Sequence, residues 1–382
     1  MSSENNINPL NSLKVSPNGG DLEGAIDLLK KLIATSSFSK EEDKTASLID
    51  QFLQSKNVST ERFLNNVWAK NKYFDKAKPT IFLNSHHDTV KPNKGYTLDP
   101  FSPIEKENKL FGLGSNDAGG ALVSLIATFL YYYDREDLIS NLILAATAEE
   151  EISGKNGIEI LLQQNDFLSA LGCSNSIIGM ATCGIVGEPT QMQMAVEERG
   201  LLVIDCIAEG KAGHAAREEG DNAIYKAIKD IEWFQSYRFP KRSELLGPVK
   251  MSVTSIETDN KAHNIIPSQC NFVVDIRVNE LYTFEEVINV IQQNVNCKIQ
   301  PRSTRLRSTS IALDHPLVKA GLSLGRNYYG SPTTSDKALM PFPTLKIGPG
   351  DSARSHIADE FIYLDEIKEG IEIYIQLLQQ IL

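Results

Sequence analysis

Residues Leu83–Val90 read L-N-S-H-H-D-T-V. An apolar run over Thr80–Ser85 leads into two histidines and an aspartate. The run has the length and composition of a buried strand, and the polar residues fall where that strand gives way to a loop. Two readings are open here: a metal site, or a polar patch closing a strand. Period-2 alternation puts the side chains of His86 and Asp88 on one side and His87 on the other. A metal-bound imidazole usually gives its second N–H to a carboxylate, which fixes tautomer and ring orientation. His86 as ligand and Asp88 as its orienting acid fit that logic.

On either side of this stretch, short β-rich runs alternate with helical ones. Leu22–Ile33 has helical periodicity through Leu22, Ile26, Leu29 and Ile33. Ala118–Tyr133 reads as an apolar helix, Asn141–Thr147 as a strand, Gly184–Gly187 as the end of a third strand and Pro343–Ile347 as a fourth. Glu366–Leu382 closes the chain as an amphipathic helix. Such alternation predicts an α/β fold, a mixed and mostly parallel sheet sandwiched by helices. The middle of the chain follows another order. Strands at Leu201–Ala208, Lys250–Ile256, Asn271–Val278 and near Lys298 are interleaved with helices at Asp221–Phe234 and Phe284–Asn294. Strand, helix, strand, strand, helix, strand is the pattern of a ferredoxin-like α+β unit. The expected organisation is a discontinuous metal-binding domain (1–195 with 307–382) and an inserted domain (196–306).

The length supports this division, because 382 residues exceed the ~250–300 at which single cores stop growing. The formal charge, 38 − 49 = −11, argues against nucleic acid or an anionic membrane as partner. Cys173, Cys183, Cys206, Cys270 and Cys297 are scattered and never form C-x-x-C, so neither a disulfide framework nor a structural zinc finger is expected. The opening M-S-S-E-N-N-I-N-P-L lacks the basic and apolar segments of a secretory signal. The polar arm ending in Pro17-Asn18-Gly19-Gly20 reads as loose. No apolar run approaches the ~20 residues that span a bilayer. Together these predict a cytoplasmic protein without a membrane partner.

Acids and histidines gather just past the strand ends. Asp117 lies in G-L-G-S-N-D-A-G-G, Glu149-Glu150-Glu151 follow the Asn141–Thr147 run, Glu188 follows Gly187, and His356 lies a short loop after Pro343–Ile347. In open α/β sheets ligands bind outside the carboxyl ends of the strands. Imidazole nitrogen and carboxylate oxygen together suit zinc. Metal-assisted hydrolysis needs one carboxylate for the ion and another to take a proton from water. Adjacent glutamates can divide those roles. Read alone, the Asp117 string also fits a turn or an N-cap.

S-H-H-D-T-V, G-L-G-S-N-D-A-G-G, T-A-E-E-E, G-E-P-T, G-K-A-G-H-A-A, H-N-I-I-P and G-P-G-D-S-A-R-S-H-I-A-D-E occur in this order. The ordered set resembles the dinuclear zinc amidohydrolase and metallopeptidase family of acetylornithine deacetylase, succinyl-diaminopimelate desuccinylase and carboxypeptidase G2. The resemblance runs from about Leu22 to the C-terminus. It implies a zinc-exopeptidase-like catalytic domain, a lid and dimerisation domain, two Zn2+ per chain (Co2+ as an alternative) and a homodimer. His86 would bind the first metal with Glu188, His356 and Glu151 the second, and Asp117 would bridge them ahead of a cis peptide bond. Asp88 would orient His86, and Glu150 would be the general base. His214 would stabilise the oxyanion from the partner subunit, and Asn264 and Arg277 would hold the substrate, Arg277 through its planar fork.

The chain departs from the family pattern at four places. Ser85 replaces a glycine, Lys91 separates D-T-V from Pro92, Gly119 stands where a basic residue is common, and Glu198 stands where a basic residue is frequent. The resemblance implies hydrolysis of an N-acyl amino acid. G-E-P-T and the E-R-G-L opening of the inserted domain favour the acetylornithine deacetylase branch of arginine biosynthesis, with N-acetylcitrulline or N-succinylornithine as close variants. The alternatives are a succinyl-diaminopimelate desuccinylase and a metallo-dipeptidase or carboxypeptidase. A non-catalytic binding protein of the same fold is disfavoured, because every expected position is filled.

Overall fold

A computed structural model of the chain describes residues 21–172, 182–217 and 219–382. The expected N-terminal arm and Cys173 lie outside the described residues. The described chain forms two compact units. One comprises the described part of Met1–Ala181 with Gly187–Met192 and Gly348–Leu382; the other comprises Thr182–Val186 with Gln193–Ile347. The fold is mixed α/β, as the alternation predicts. Parallel pairs form its buried interior, Thr80–His86 with Asn141–Thr147 and Cys183–Val186 with Thr344–Lys346.

In the first unit, the helix Leu22–Ile33 starts at Asp21, whose carboxylate accepts a hydrogen bond from Gly24 N–H at 3.0 Å. That N-cap satisfies one of the orphan donors of the first turn. Its inward face is Ala25, Leu28, Leu29, Leu32 and Ile33. The strands Thr80–His86 and Asn141–Thr147 are buried at every position, as parallel strands covered on both faces are. They pair from Thr80 opposite Asn141 to His86 opposite Thr147. Their carboxyl ends therefore reach the same edge, and this register brings the H-H-D and E-E-E strings together. Gly187 N–H donates to the Asn84 carbonyl at 2.7 Å, so the next residue, Glu188, emerges beside them. Ser85, in place of the usual glycine, donates from its hydroxyl to the Gly187 carbonyl at 2.8 Å.

The apolar helix begins at Gly120 rather than Ala118 and runs to Tyr133. Asp117 (φ −115°, ψ 101°) and Ala118 (φ −114°, ψ 29°) are non-helical, so the ladder cannot extend back through them. Gly119 also has a steric reason: a Cβ there would sit 2.4 Å from the Gly114 carbonyl oxygen. Helix Gly120–Tyr133 packs against Leu22–Ile33 and against the closing helix Leu364–Gln379. The helix Asp43–Ser55, the hairpin Thr60–Phe63/Asn66–Lys70 and the small sheet of Phe361–Tyr363, Lys109–Phe111 and Ile104–Lys106 were not foreseen. Strands of three to five residues carry too little alternation to be read from sequence.

The second unit contains a four-stranded antiparallel sheet in the order Lys250–Thr258, Gln269–Val278, Gly200–Glu209, Lys298–Pro301. Helices Ala223–Ser236 and Phe284–Asn294 fill the sequence positions of a ferredoxin-like unit. The core takes alternate residues of the long strands, Leu202, Ile204 and Cys206 with Phe272, Val274 and Ile276, and closes on Phe234, Val287 and Ile291 from the helices. Met194–Glu198, Thr309–Ser310, Tyr328–Ser331, the parallel pair Cys183–Val186 and Thr344–Lys346, and the two-residue strands Gly213–His214 and Ile265–Ile266 lie in the same unit.

Glu198 is fully buried there, paired with Lys346 Nζ at 2.8 Å and accepting the Ser335 hydroxyl at 2.8 Å. Lys337 is buried nearby and donates to the Ala195 and Val196 carbonyls, both at 3.1 Å. Burial pushes the Lys337 ammonium down from 10.5 to about 8, against the opposing pull of Glu198. Below that value the lysine is charged in both folded and unfolded chains. Between about 8 and 10.5 the unfolded chain keeps a proton that the folded chain has lost, so stability rises with pH. At ~1.4 kcal/mol per pH unit the rise is roughly 3 kcal/mol. Urea unfolding is expected to show wild type gaining stability relative to Lys337→Met from pH 8 to 10.5. A constant difference would refute it.

Candidate metal centre

His86 is the last residue of its strand, and its ring is 1% exposed. Its Nδ1 lies 3.1 Å from the main-chain oxygen of Asp88 and 3.4 Å from Asp88 Oδ1. Asp88 does stand on the side of His86, but the nearer acceptor is its own carbonyl. Nε2 of His86 is buried and makes no hydrogen bond of normal geometry. It faces Asp117 Oδ1 at 3.4 Å, Glu150 Oε2 at 3.9 Å and Glu188 Oε1 at 3.9 Å. His87 points the other way, as alternation requires. Its Nε2 lies 2.8 Å from the Asn65 carbonyl and its Nδ1 3.0 Å from the Thr45 hydroxyl. Burial pushes the His87 imidazole down to about 4, which suits a neutral ring tied into the core.

Three successive glutamates take three different surroundings. Glu149, in the left-handed region at φ 57°, turns away and accepts from the Asn156 side chain at 2.8 Å. Glu150 faces His86, and Glu151 Oε2 lies 2.9 Å from His356 Nε2. Asp88 holds this turn by its main chain, accepting from Glu150 N–H at 3.0 Å through Oδ1 and from Glu151 N–H at 3.2 Å through Oδ2. The Ser39 hydroxyl donates to the same carboxylate at 2.7 Å. Sequence reasoning missed this second task of Asp88, since nothing in S-H-H-D points at a turn some sixty residues downstream.

Asp117 is shared. While Oδ1 faces His86, Oδ2 lies 3.7 Å from His356 Nε2. The peptide bond after it is cis, as the resemblance implies. Two triads result, His86–Asp117–Glu188 and Asp117–Glu151–His356, with the candidate ligand atoms of each within 4.8 Å of one another. Neither Glu149 nor Glu150 belongs to either triad.

The electrostatics favour a cation at each imidazole. Burial lowers the His86 pKa, but the Asp117 and Asp88 carboxylates close beside the ring outweigh it and hold it well above the usual range. The hydrogen bond to Glu151 raises His356 to about 9. Burial raises Asp117 and Asp88, yet His86 beside them holds both below the ordinary carboxylate value. Burial raises Glu151, with His356 opposing. The donors of the first triad stand 3–4 Å from His86 Nε2, the separation that tetrahedral ligation at ~2.0–2.2 Å imposes. An unpartnered imidazole nitrogen facing carboxylates at that spacing fits a bound divalent metal.

His214, Asn264 and Arg277 belong to the second unit. His214 is exposed and pairs across a short ladder with Ile265. Ala215 N–H donates to the Asn264 carbonyl at 2.9 Å, which brings His214 and Asn264 to adjoining segments. Arg277 stands at the far end of the Gln269–Val278 strand, its fork occupied by Asp275 at 2.8 and 3.1 Å. No described helix is long and apolar enough to cross a membrane.

Comparison with known proteins follows the same lines. The chain is 25% identical over 374 residues to the succinyl-diaminopimelate desuccinylase of Wolbachia pipientis subsp. Culex pipiens, covering 91% of each chain. It is 24% identical over 385 residues to the succinyl-diaminopimelate desuccinylase of Rickettsia bellii, covering 93% of this chain and 96% of the relative. Its fold superposes with a TM-score of 0.73 on the family M20 metallo-carboxypeptidase of Sulfolobus solfataricus, at 16% identity over 94% of this chain and 99% of that one. These relatives favour the desuccinylase alternative over the acetylornithine branch read from G-E-P-T and E-R-G-L. Residues 82–380 match the description Peptidase family M20/M25/M40, and the chain belongs to that family of metal-dependent hydrolases.

Proposed function

We propose that the chain hydrolyses the amide bond of an N-succinyl amino acid, with N-succinyl-diaminopimelate as the expected substrate. The pair of triads sharing Asp117, with Glu150 beside them, carries the chemistry. The succinyl group is taken from the desuccinylases to which the chain is similar. His86, Asp117 and Glu188 would hold one ion and Asp117, Glu151 and His356 a second, with Zn2+ expected at both. When bound, the ions would acidify a water and polarise the scissile carbonyl. Glu150 takes the water's proton and returns it to the leaving nitrogen. Asp88 keeps Glu150 and Glu151 on opposite sides of that task by holding their main chain.

The 196–306 segment serves as lid and dimer contact in this reading, and His214 steadies the oxyanion from the partner of a homodimer. Asn264 would position the substrate beside it. Asp275 takes the Nε side of the Arg277 fork, so a substrate carboxylate would meet its Nη1 and Nη2 side.

A panel of N-succinyl-diaminopimelate, N-acetylornithine, N-acetylcitrulline, N-succinylornithine and a dipeptide tests the substrate. The succinyl-diaminopimelate is expected to lead in kcat/KM by on the order of 100-fold. Faster turnover of acetylornithine would restore the first branch, and faster turnover of the dipeptide would point to a peptidase.

A further inference from the structure

We propose that Glu360 and Asn116 are positioning residues that set the spacing of the two triads, by clasping the Asp117 turn to the segment carrying His356. The proposal rests on the metal-centre reading above. Glu360 is 2% exposed and four residues beyond His356. Its Oε1 accepts from Asn116 N–H at 2.8 Å and Asp117 N–H at 2.9 Å, and its Oε2 accepts from Gly114 N–H at 3.2 Å. Asn116, itself fully buried, reaches back. Its Oδ1 accepts from Asp351 N–H at 2.9 Å, and its Nδ2 donates to the Asp351 carbonyl at 3.0 Å and to Ser355 Oγ at 3.4 Å.

The chemistry of the turn explains why a side chain with two acceptor oxygens stands there. Around the break at Asp117 the main-chain N–H groups of Gly114, Asn116 and Asp117 find their acceptor in Glu360, the first two on buried residues where water is a poor substitute. Two side-chain oxygens accepting from three N–H groups fix the geometry of the turn at several points at once. Asp117 presents one oxygen to each histidine, at 3.4 and 3.7 Å. A turn displaced by a fraction of an ångström would therefore disturb both triads at once. Glu360 comes from the strand side of the His356 loop, so each segment is held in place by the other. Neither Glu360 nor Asn116 belongs to a triad.

Cobalt titration into metal-free protein tests the clasp, read by calorimetry and by the Co2+ d–d absorption bands. Wild type is expected to take up two ions. Glu360→Ala should weaken uptake by about 10–100-fold, the range for partners that orient metal ligands, and should change the absorption of what still binds. Glu360→Gln should fall between, since its oxygen can still accept from Asn116 and Asp117 while its amide confronts Gly114 N–H. Asn116→Ala supplies an independent arm should Glu360→Ala not fold. Tyr132→Phe is the stability control, because it removes a buried hydrogen bond to the Ile375 carbonyl (2.8 Å) and touches neither triad. Wild-type affinity and spectrum in both the Glu360 variants and Asn116→Ala would overturn the clasp. Equal weakening by Tyr132→Phe would also overturn it, assigning the effect to general stability. A wild type that binds no cobalt would instead remove the metal-centre reading, and the clasp with it.

Discussion

Glu150→Gln is expected to lower kcat by about 10³–10⁴-fold while leaving metal content at the wild-type level. Glu150 belongs to neither triad, so its loss need not release an ion. Glutamine keeps the shape of the side chain and the main-chain hydrogen bond from residue 150 to Asp88. Only the basic oxygen disappears. Glu151→Gln is the contrasting variant: Glu151 contacts His356 at 2.9 Å and lies in the second triad, so this variant should lose metal along with activity. Turnover at saturating substrate, measured together with metal content per chain, separates the two outcomes. Near-wild-type turnover of Glu150→Gln with its metals bound would end its assignment as the base.

The second large effect separates two adjacent histidines. His86→Ala should weaken metal binding by more than about 100-fold and abolish turnover, since it removes a ligand and not merely a partner of one. His87→Ala should keep both metal and turnover near wild type. It should still cost roughly 1–3 kcal/mol of stability, because the Asn65 carbonyl and the Thr45 hydroxyl lose a buried partner. Metal analysis and urea unfolding of both variants decide the matter. A His87→Ala protein that emerged metal-free but folded would overturn the division of roles.

Much of this was legible in L-N-S-H-H-D-T-V because a strand alternates by geometry alone. Side-chain direction follows from position, and the parallel register of two buried runs then brings their ends together. The strands and helices of the ferredoxin-like unit were legible for the same reason, since long alternating runs bury every second residue. Contacts from side chain to distant main chain were not legible. In A-D-E-F the glutamate reads as a surface charge, and its N–H partners lie 243 to 246 residues earlier. Asp88 holding the Glu150–Glu151 turn is hidden in the same way. The Arg277–Asp275 pair could have been read, because residues two apart on a strand share a face. The branch of the family rests on few residues, and the G-E-P-T and E-R-G-L strings on which the acetylornithine reading stood did not separate it from the desuccinylases.

The two histidines differ in one respect that reaches beyond catalysis. The His86 side chain is 1% exposed, whereas that of His356 is 55% exposed and sits on a residue with φ 61°. An ion held beside His86 would lie deeper, behind carboxylates that are only 11 to 14% exposed. One held beside His356 faces solvent across a loop. Were two ions bound, the more exposed one would exchange first, and in metal-poor surroundings the chain would pass through a half-loaded form. Metal supply, and not only substrate supply, would then set how much of the protein is competent at any moment.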